Sequence, residues 1–299
     1  MEFWQWWQET GAQRWEQAIR ERTPADDALI QETNEHVDGI GPNLAFEFHP
    51  GRNTPFGLTV TAQGYAENRA VARRWLNAAP ASDIWEFYDL RQPTPGFSIS
   101  LGKTTVSTDD LRFRLNPGDS VLNVDVYHPG ITEPNLGFLL LDSAFGERNV
   151  EMWFGEINFA TEPGPELTVA DVNAEIAQLE ARFPTMGEGT WRLYESNQGE
   201  EHYVARVRPP LHPLSDPLKE IHVRVEIAGV EEKSAEELWD IEDRLEAIEG
   251  ARLVAVETLT GVRTFHLYAV RECVEQFGAF GHGEAVVDPG WVQVSHLRF

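Results

Sequence analysis

The chain has one cysteine among 299 residues. A lone thiol excludes an intrachain disulfide framework and any cysteine-cage zinc site. Basic residues are scarce as well: 24 Lys and Arg stand against 49 Asp and Glu, a formal charge of -25. A surface this negative repels phosphate backbones, and no local basic patch offsets it, so nucleic acid is not expected as a partner. Long apolar runs are missing too. No stretch approaches the roughly 20 residues that a membrane-spanning helix needs. The first residues do not read as a secretory signal, because Glu2 comes early and Gln5 and Gln8 interrupt the aromatics. The expectation is therefore a cytoplasmic protein with no membrane partner.

Motifs that carry known chemistry are equally absent. There is no glycine-rich phosphate loop ending in Lys-Ser/Thr, no G-x-G-x-x-G after a strand, no H-E-x-x-H, and no nucleophile elbow around GFSIS. None of the nine histidines forms an i,i+4 helical pair. His222 and His266 fall on strands expected in one sheet, with Glu226 and Glu257 near them in the pattern. Spacing alone gives them no convergence, so neither a metal nor a cofactor is expected. Cys273 reads as a small apolar filler.

What is present is an ordinary globular balance, 41% hydrophobic and 24% charged. At this length two domains are the natural reading. The opening MEFWQWWQET places Trp4, Trp7, Trp15 and Ala18 on one helical stripe, if Gly11 is tolerated inside it. That is an amphipathic helix laid over a core. PADDALIQETNEHVDGIG reads as a second helix with Pro24 in its first turn. LAFEFHP and GLTVTAQG follow as a hairpin, then a helix over YAENRAVARRWLNAAP. Strands are expected at IWEFYDL, FSISLG, LRFRL and SVLNVDVYH, a buried helix at NLGFLLLDSAF, and a strand at NVEMWFGEINF. The sum is an α+β domain over residues 1–163, a helical connector over 164–187, and a second α+β domain over 188–299. Each domain is expected to be a mostly antiparallel sheet with helices packed on it. The last part runs strand (EIHVRVEIA), helix (SAEELWDIEDRLEAIEG), strand (ARLVAVETL), strand (VRTFHLYAV), helix (ECVEQFGAF), strand (WVQVSHLRF). This β-α-β-β-α-β order is that of a ferredoxin-like unit.

Two groups of residues invite chemistry. In FLLLDSAFGERNVEMWFGEINF, Asp142 interrupts an apolar helix and Glu147 follows at its end; a carboxylate in apolar surroundings titrates late and can serve as acid or base. With His128 these are the candidate catalytic residues, placed in a cleft between layers. The second group is the outer face of the helix at 234–249, where Glu236, Glu237, Asp240, Asp243 and Glu246 make an acidic surface suited to a basic protein.

The FWQWW opening, the FLLLDSAFGERNVEMWFGEINF stretch, and TWRLYES with ARLVAVETLTGVRTFHLYA resemble bacterial proteins of the domain of unknown function 695. The likeness is best over the last hundred or so residues, with Gly261, Arg263, Phe265 and Tyr268 its firmest element, while the first half resembles companions with an aromatic-rich start. The resemblance implies an α/β fold similar to that of the regulator of ribonuclease activity B, an acidic ferredoxin-like inhibitor, and it brings no catalytic residues. The expected function is a non-catalytic binding or regulatory protein acting through acidic surface. The alternatives are an enzyme of unrecognised type using Asp142, Glu147 and His128, and an immunity-type inhibitor of a basic nuclease.

Overall fold

A computed structural model of the protein describes residues 2–22, 25–101, 104–118, 120–184, 191–198, 201–281 and 283–298. The chain divides into two compact units, Met1–Asn116 with Asn123–Asn173, and Pro117–Leu122 with Ala174–Phe299. Among the described residues no helix is long and apolar enough to cross a membrane.

The opening aromatics form α1 (Glu2–Trp6), a π-helical turn (Trp7–Gly11) and α2 (Ala12–Glu21). Trp4, Trp7 and Trp15 are buried as the helical stripe predicts, and so is Trp6, which that stripe left out. The wider π turn admits it, and Gly11 clears its space: a Cβ there would stand 2.8 Å from Trp6 Cη2. Three of the buried opening indoles find acceptors. Trp4 Nε1 donates to the Trp75 carbonyl (3.0 Å), Trp6 Nε1 to Glu32 (2.7 Å) and Trp15 Nε1 to Thr33 (2.9 Å). The last two acceptors lie on α3 (Asp27–Asp38), capped by Asp26, which accepts the Leu29 N–H at 2.6 Å. Pro24, expected in its first turn, lies outside the described residues.

β1 (Ala45–His49) and β2 (Phe56–Thr61) pair antiparallel, and α4 (Ala66–Asn77) then crosses to β3 (Trp85–Tyr88), which runs parallel to β2. Phe46, Phe48, Trp75 and Trp85 join the opening aromatics in one core. The next strands form separate small sheets: β4 (Ser98–Leu101) with β5 (Thr104–Ser107), and β6 (Arg112–Pro117), β7 (Leu122–Tyr127) and β8 (Phe154–Ala160) in that order. Where one mostly antiparallel sheet was expected, the described residues form three small ones, one of them with a parallel pair. NLGFLLLDSAF is the apolar helix α5 (Pro134–Phe145). NVEMWFGEINF, expected as a strand throughout, splits into α6 (Glu147–Trp153) and β8. Gly146 makes the break. Its φ of +80° ends one helix and starts the next, and a Cβ there would stand 2.9 Å from Pro93 Cδ.

The expected connector is α7 (Val169–Arg182), which buries Val172, Ile176 and Leu179 and crosses the division between the units. The expected start of the second domain, near residue 188, lies outside the described residues. The second unit holds a six-stranded antiparallel sheet. Its strands are β9 (Arg192–Gln198), β10 (Glu201–Val207), β11 (Ile221–Ala228), β12 (Ala251–Leu259), β13 (Val262–Ala269) and β14 (Gly283–Val287), in the order β14-β11-β13-β12-β10-β9. It is wider than the four strands expected because the β9–β10 hairpin adds to the edge of β12.

One face carries Val223, Val225, Phe265 and Leu267 under Leu245 and Ile248 of the α8 segment (helix Ala235–Glu246) and under Cys273 and Phe277. Ser234 and Glu237 close a capping box at the start of α8, with the Glu237 N–H donating to Ser234 Oγ at 3.2 Å. The other face carries Val207, Val254, Ala255 and Tyr268 under Trp291, Val294 and Leu297. A bulge between Leu253 and Ala255 turns both Val254 and Ala255 to this second face.

Two end elements differ from expectation. ECVEQFGAF is a 3-10 helix (Arg271–Phe280), and WVQVSHLRF, expected as the last strand, is a 3-10 helix over Val292–Leu297. Its buried residues recur every third position, and Asp288 accepts the Val292 and Gln293 N–H groups, both at 2.9 Å.

Trp7, 2% exposed, sits at the centre of the aromatic core. Trp7→Ala is expected to cost about 3–5 kcal/mol, read from urea denaturation. An unfolding midpoint equal to wild type would show that the opening helix is not part of the core.

Candidate functional site

In the first unit, the end of β2, the first turn of α4, the segment after β3 and the α5–α6 corner bring ionisable groups together. Glu147 is the centre, 2% exposed, with Arg69 beside it equally buried at 3%. The Thr61 hydroxyl donates to Glu147 at 2.6 Å, Arg69 Nη2 at 2.9 Å, and the Arg91 backbone N–H at 2.9 Å. Arg69 Nη2 also contacts Glu151 on α6. Arg91 donates through Nε to Glu47 (2.6 Å) and through Nη1 to Asp142 (3.1 Å). A cleft of about 640 Å³ opens here, lined by Arg91, Asp142, Glu147 and Glu151 and by apolar Phe138 and Phe154.

Two of these carboxyls titrate late. Burial pushes Asp142 up to about 6, with repulsion from Glu147 adding to it and the Arg91 ion pair opposing it. Burial pushes Glu151 up to about 7 despite the attraction of Arg69, and Glu147 and Asp142 reinforce the rise.

The structure thus brings Asp142 and Glu147 together and adds Glu151, Arg69 and Arg91. It does not bring in His128. That ring is spent in its own turn: Nδ1 accepts the Gly130 N–H (2.8 Å), so Nε2 carries the proton and donates to the Ser107 carbonyl (3.1 Å). His128 does not line the cleft.

On α8, Glu236, Glu237, Asp240, Asp243 and Glu246 are all exposed. Not all are free charges. Glu237 is held in the capping box, Glu246 pairs with Arg208, and Asp240 lies 3.7 Å from Arg244. Between them stands Trp239, 59% exposed, in the same stripe as Glu236 and Asp243 at i-3 and i+4. The sequence reading of this helix passed over it, because a tryptophan on an amphipathic helix reads as core. The available signal was its phase: it falls outside the Leu238, Ile241, Leu245, Ile248 stripe.

The second face of the C-terminal sheet carries a polar chain. His222 on β11 and His266 on β13 meet at 3.0 Å, Nε2 to Nδ1. His266 Nε2 donates to Glu257 on β12 at 2.6 Å, and the Tyr203 hydroxyl donates to the other oxygen of Glu257 at 2.5 Å. Glu257 is acceptor only, which fixes a proton on His266 Nε2. Burial pushes His222 down to about 4, with repulsion from His266 in the same direction. Burial alone would raise Glu257, but the bonds from His266 and Tyr203 outweigh it and hold the carboxyl at about 2. Glu226, paired in the sequence pattern with these residues, lies instead 3.6 Å from Arg224. Among the described residues no group of three or more His, Cys, Asp or Glu is arranged to hold a metal ion.

No protein-family model, no curated protein and no solved structure matches this chain.

The two sites respond to pH with opposite sign. Glu151 binds its proton more tightly folded than unfolded, so its contribution falls as pH rises from about 4.5 to about 7. Glu151→Gln keeps the neutral form, and the melting temperature of the variant minus that of wild type is expected to increase across this window; a flat difference refutes the raised carboxyl. His222 binds its proton less tightly folded, so its contribution is complete above about 6.5 and lost as pH falls toward 4. His222→Phe is expected to retain more of its own neutral-pH stability at pH 4.5 than wild type does, measured by thermal melts. Equal acid losses in both proteins would contradict the depressed value.

Proposed function

We propose that this is a binding protein that docks a basic protein segment on the outer face of α8. The observation that carries the reading is Trp239, 59% exposed among carboxylates on that face. A tryptophan at the surface supplies large apolar area and a π face for a cation, and tryptophan is enriched among the residues that dominate interface energies. The surrounding Glu236, Asp240 and Asp243 match a Lys- or Arg-rich surface, speed its encounter and disfavour acidic competitors. The formal charge of -25 gives a long-range field of the same sign. An inhibitor of a basic nuclease would use the same physics and is a special case of this reading. We place the protein in the cytoplasm on the sequence grounds already given. We also read β11, α8, β12, β13 and β14 as a ferredoxin-like unit, supported by the strand order β14-β11-β13-β12, and as distant kin of the domain of unknown function 695, supported by the TGVRTFHLY stretch.

A second reading, acid–base catalysis in the cleft of the first unit, is favoured by one observation: Asp142 and Glu151, both raised toward neutrality, line the same cleft. It is weaker because Asp142, Glu147 and Glu151 all sit in ion pairs that knit the unit together.

The test uses a short fluorescein-labelled poly-lysine peptide as probe, followed by anisotropy. Trp239→Ala and the triple reversal of Glu236, Asp240 and Asp243 to Lys are each expected to weaken binding about tenfold or more. Melting should barely change, because exposed charges contribute within about 0.5 kcal/mol each. Wild-type binding should weaken as salt rises. Reversing three exposed acids elsewhere, Asp27, Asp38 and Glu166, is the control and should cost far less. Equal losses from both triple reversals would show that net charge alone holds the probe and that α8 is solvated surface.

A further inference from the structure

The cleft of about 640 Å³ beside Glu147 is lined by more than ion pairs. Phe138 and Leu139 on α5, Val150 on α6, and Phe154 and Ile157 on β8 give it apolar surface. Its volume, and its mix of apolar surface with a few polar groups, are those of a small-molecule site. Phe138 is the telling residue. It meets Phe159 edge-on at 5.3 Å, so packing holds the ring, yet 42% of the residue stays open.

The charged lining is out of balance. In the ion-pair network Glu47, Asp142, Glu147 and Glu151 share only Arg69 and Arg91, four negative groups on two positive ones. Glu147 is closed off, with both oxygens bonded. Asp142 and Glu151 are not. Both line the cleft, and their side chains are 15% and 24% open. Each also has an oxygen that takes no hydrogen bond among the described residues. Burial first, and repulsion within the group second, leave Asp142 titrating at about 6 and Glu151 at about 7. A cation entering the cleft would replace the protons held there. The apolar lining asks for a body behind that charge, and among the described residues no group is arranged for a metal ion.

We propose that this cleft binds a small primary amine with an apolar body, its ammonium on Glu151 and Asp142 and its body on Phe138, Phe154 and Ile157. An ammonium brings three donors and one positive charge to carboxylates that lack partners. An aromatic body gains further against the open face or edge of Phe138. The site is separate from α8 and implies no turnover, so it depends on neither functional reading above.

The probe is phenethylamine, which stays an ammonium throughout the titration. Phenethyl alcohol is the control without the charge, and ethylamine the control without the aromatic body. The full chain is labelled with ¹³C, and the Glu151 carboxyl carbon, assigned through its own backbone, is followed by NMR as pH is varied at constant salt. Saturating phenethylamine is expected to lower the Glu151 midpoint by roughly half a pH unit or more, because a ligand that prefers the ionised carboxyl displaces its proton through the same coupling. Both controls at matched concentration should leave the midpoint in place. Glu151→Gln should weaken phenethylamine binding about tenfold, the loss of one charge-assisted hydrogen bond. If that variant does not fold, Asn135→Lys takes its place. Asn135 is exposed on α5 and lines the cleft, so the lysine brings a competing ammonium and should abolish the effect of the probe. A midpoint unmoved up to the solubility limit of phenethylamine overturns the proposal. So does an equal shift from ethylamine, which would show charge acting without the apolar lining, an equal shift from phenethyl alcohol, or an effect that survives Asn135→Lys.

Discussion

A buried carboxylate dictates much of the first unit. Glu147 is taken out of water at the start of α6, and an isolated charge there would cost several kcal/mol even after relaxation. It is tolerable because β2, α4 and the segment after β3 each deliver a donor: Thr61, Arg69 and the Arg91 backbone. Those donors constrain the elements that carry them. The chain must turn at Gly146 so that Glu147 begins a new helix within reach, and α4 must bury an arginine beside Asn68, Ala70, Ala72 and Trp75. Glu151 and Asp142 are secondary members, paired with the same two arginines and titrating late because they are buried, with repulsion from Glu147 adding to the rise.

This arrangement explains why the cleft around Glu147 looks like chemistry and why that look is a weak guide. Perturbed carboxyls mark active sites and structural ion networks alike. Here every carboxylate in the group has an arginine partner in the protein, which is how a structural network is built. On α8 the situation is reversed. Trp239 has been left outside, at a position where packing does not require it, with exposed carboxylates on the same face.

Much of the architecture was legible in the residues because its causes are local. The tryptophan stripe, the capping box at Ser234 and Glu237, the apolar helix at Pro134–Phe145 and the alternation of Leu122, Val124 and Val126 each leave a periodic or fixed-spacing trace. What escaped has non-local causes. The arginines that hold Glu147 come from positions 69 and 91, and nothing near residue 147 announces them. The helix at Glu147–Trp153 is short and aromatic, so it imitates a strand until Gly146 is seen to take a positive φ. The last segment alternates as V-Q-V, yet Asp288 caps it into a 3-10 turn through two backbone N–H groups, and burial then follows a period of three. Trp6 was missed for a related reason, since a π turn shifts the phase that a 3.6-residue count assumes.

The bulge in β12 has a further meaning. Up to Leu253 the strand points its apolar residues under α8; with Val254 as a surplus residue, the alternation restarts one step out of phase. Counting onward, Ala255 and Glu257 share the face of His266, and Val256 returns to the α8 side. Flatten the bulge while keeping every residue and the parity inverts: Glu257 would be driven under the helix and Val256 would sit against the histidine. The whole Tyr203–Glu257–His266–His222 chain therefore depends on a single counting error in an otherwise regular ladder. An apolar run such as LVAV hides that error from any reading of alternation, because all four residues suit either face. In this strand one unpaired residue acts as a frameshift of the fold, and the polar chemistry of the sheet is written in the shifted frame.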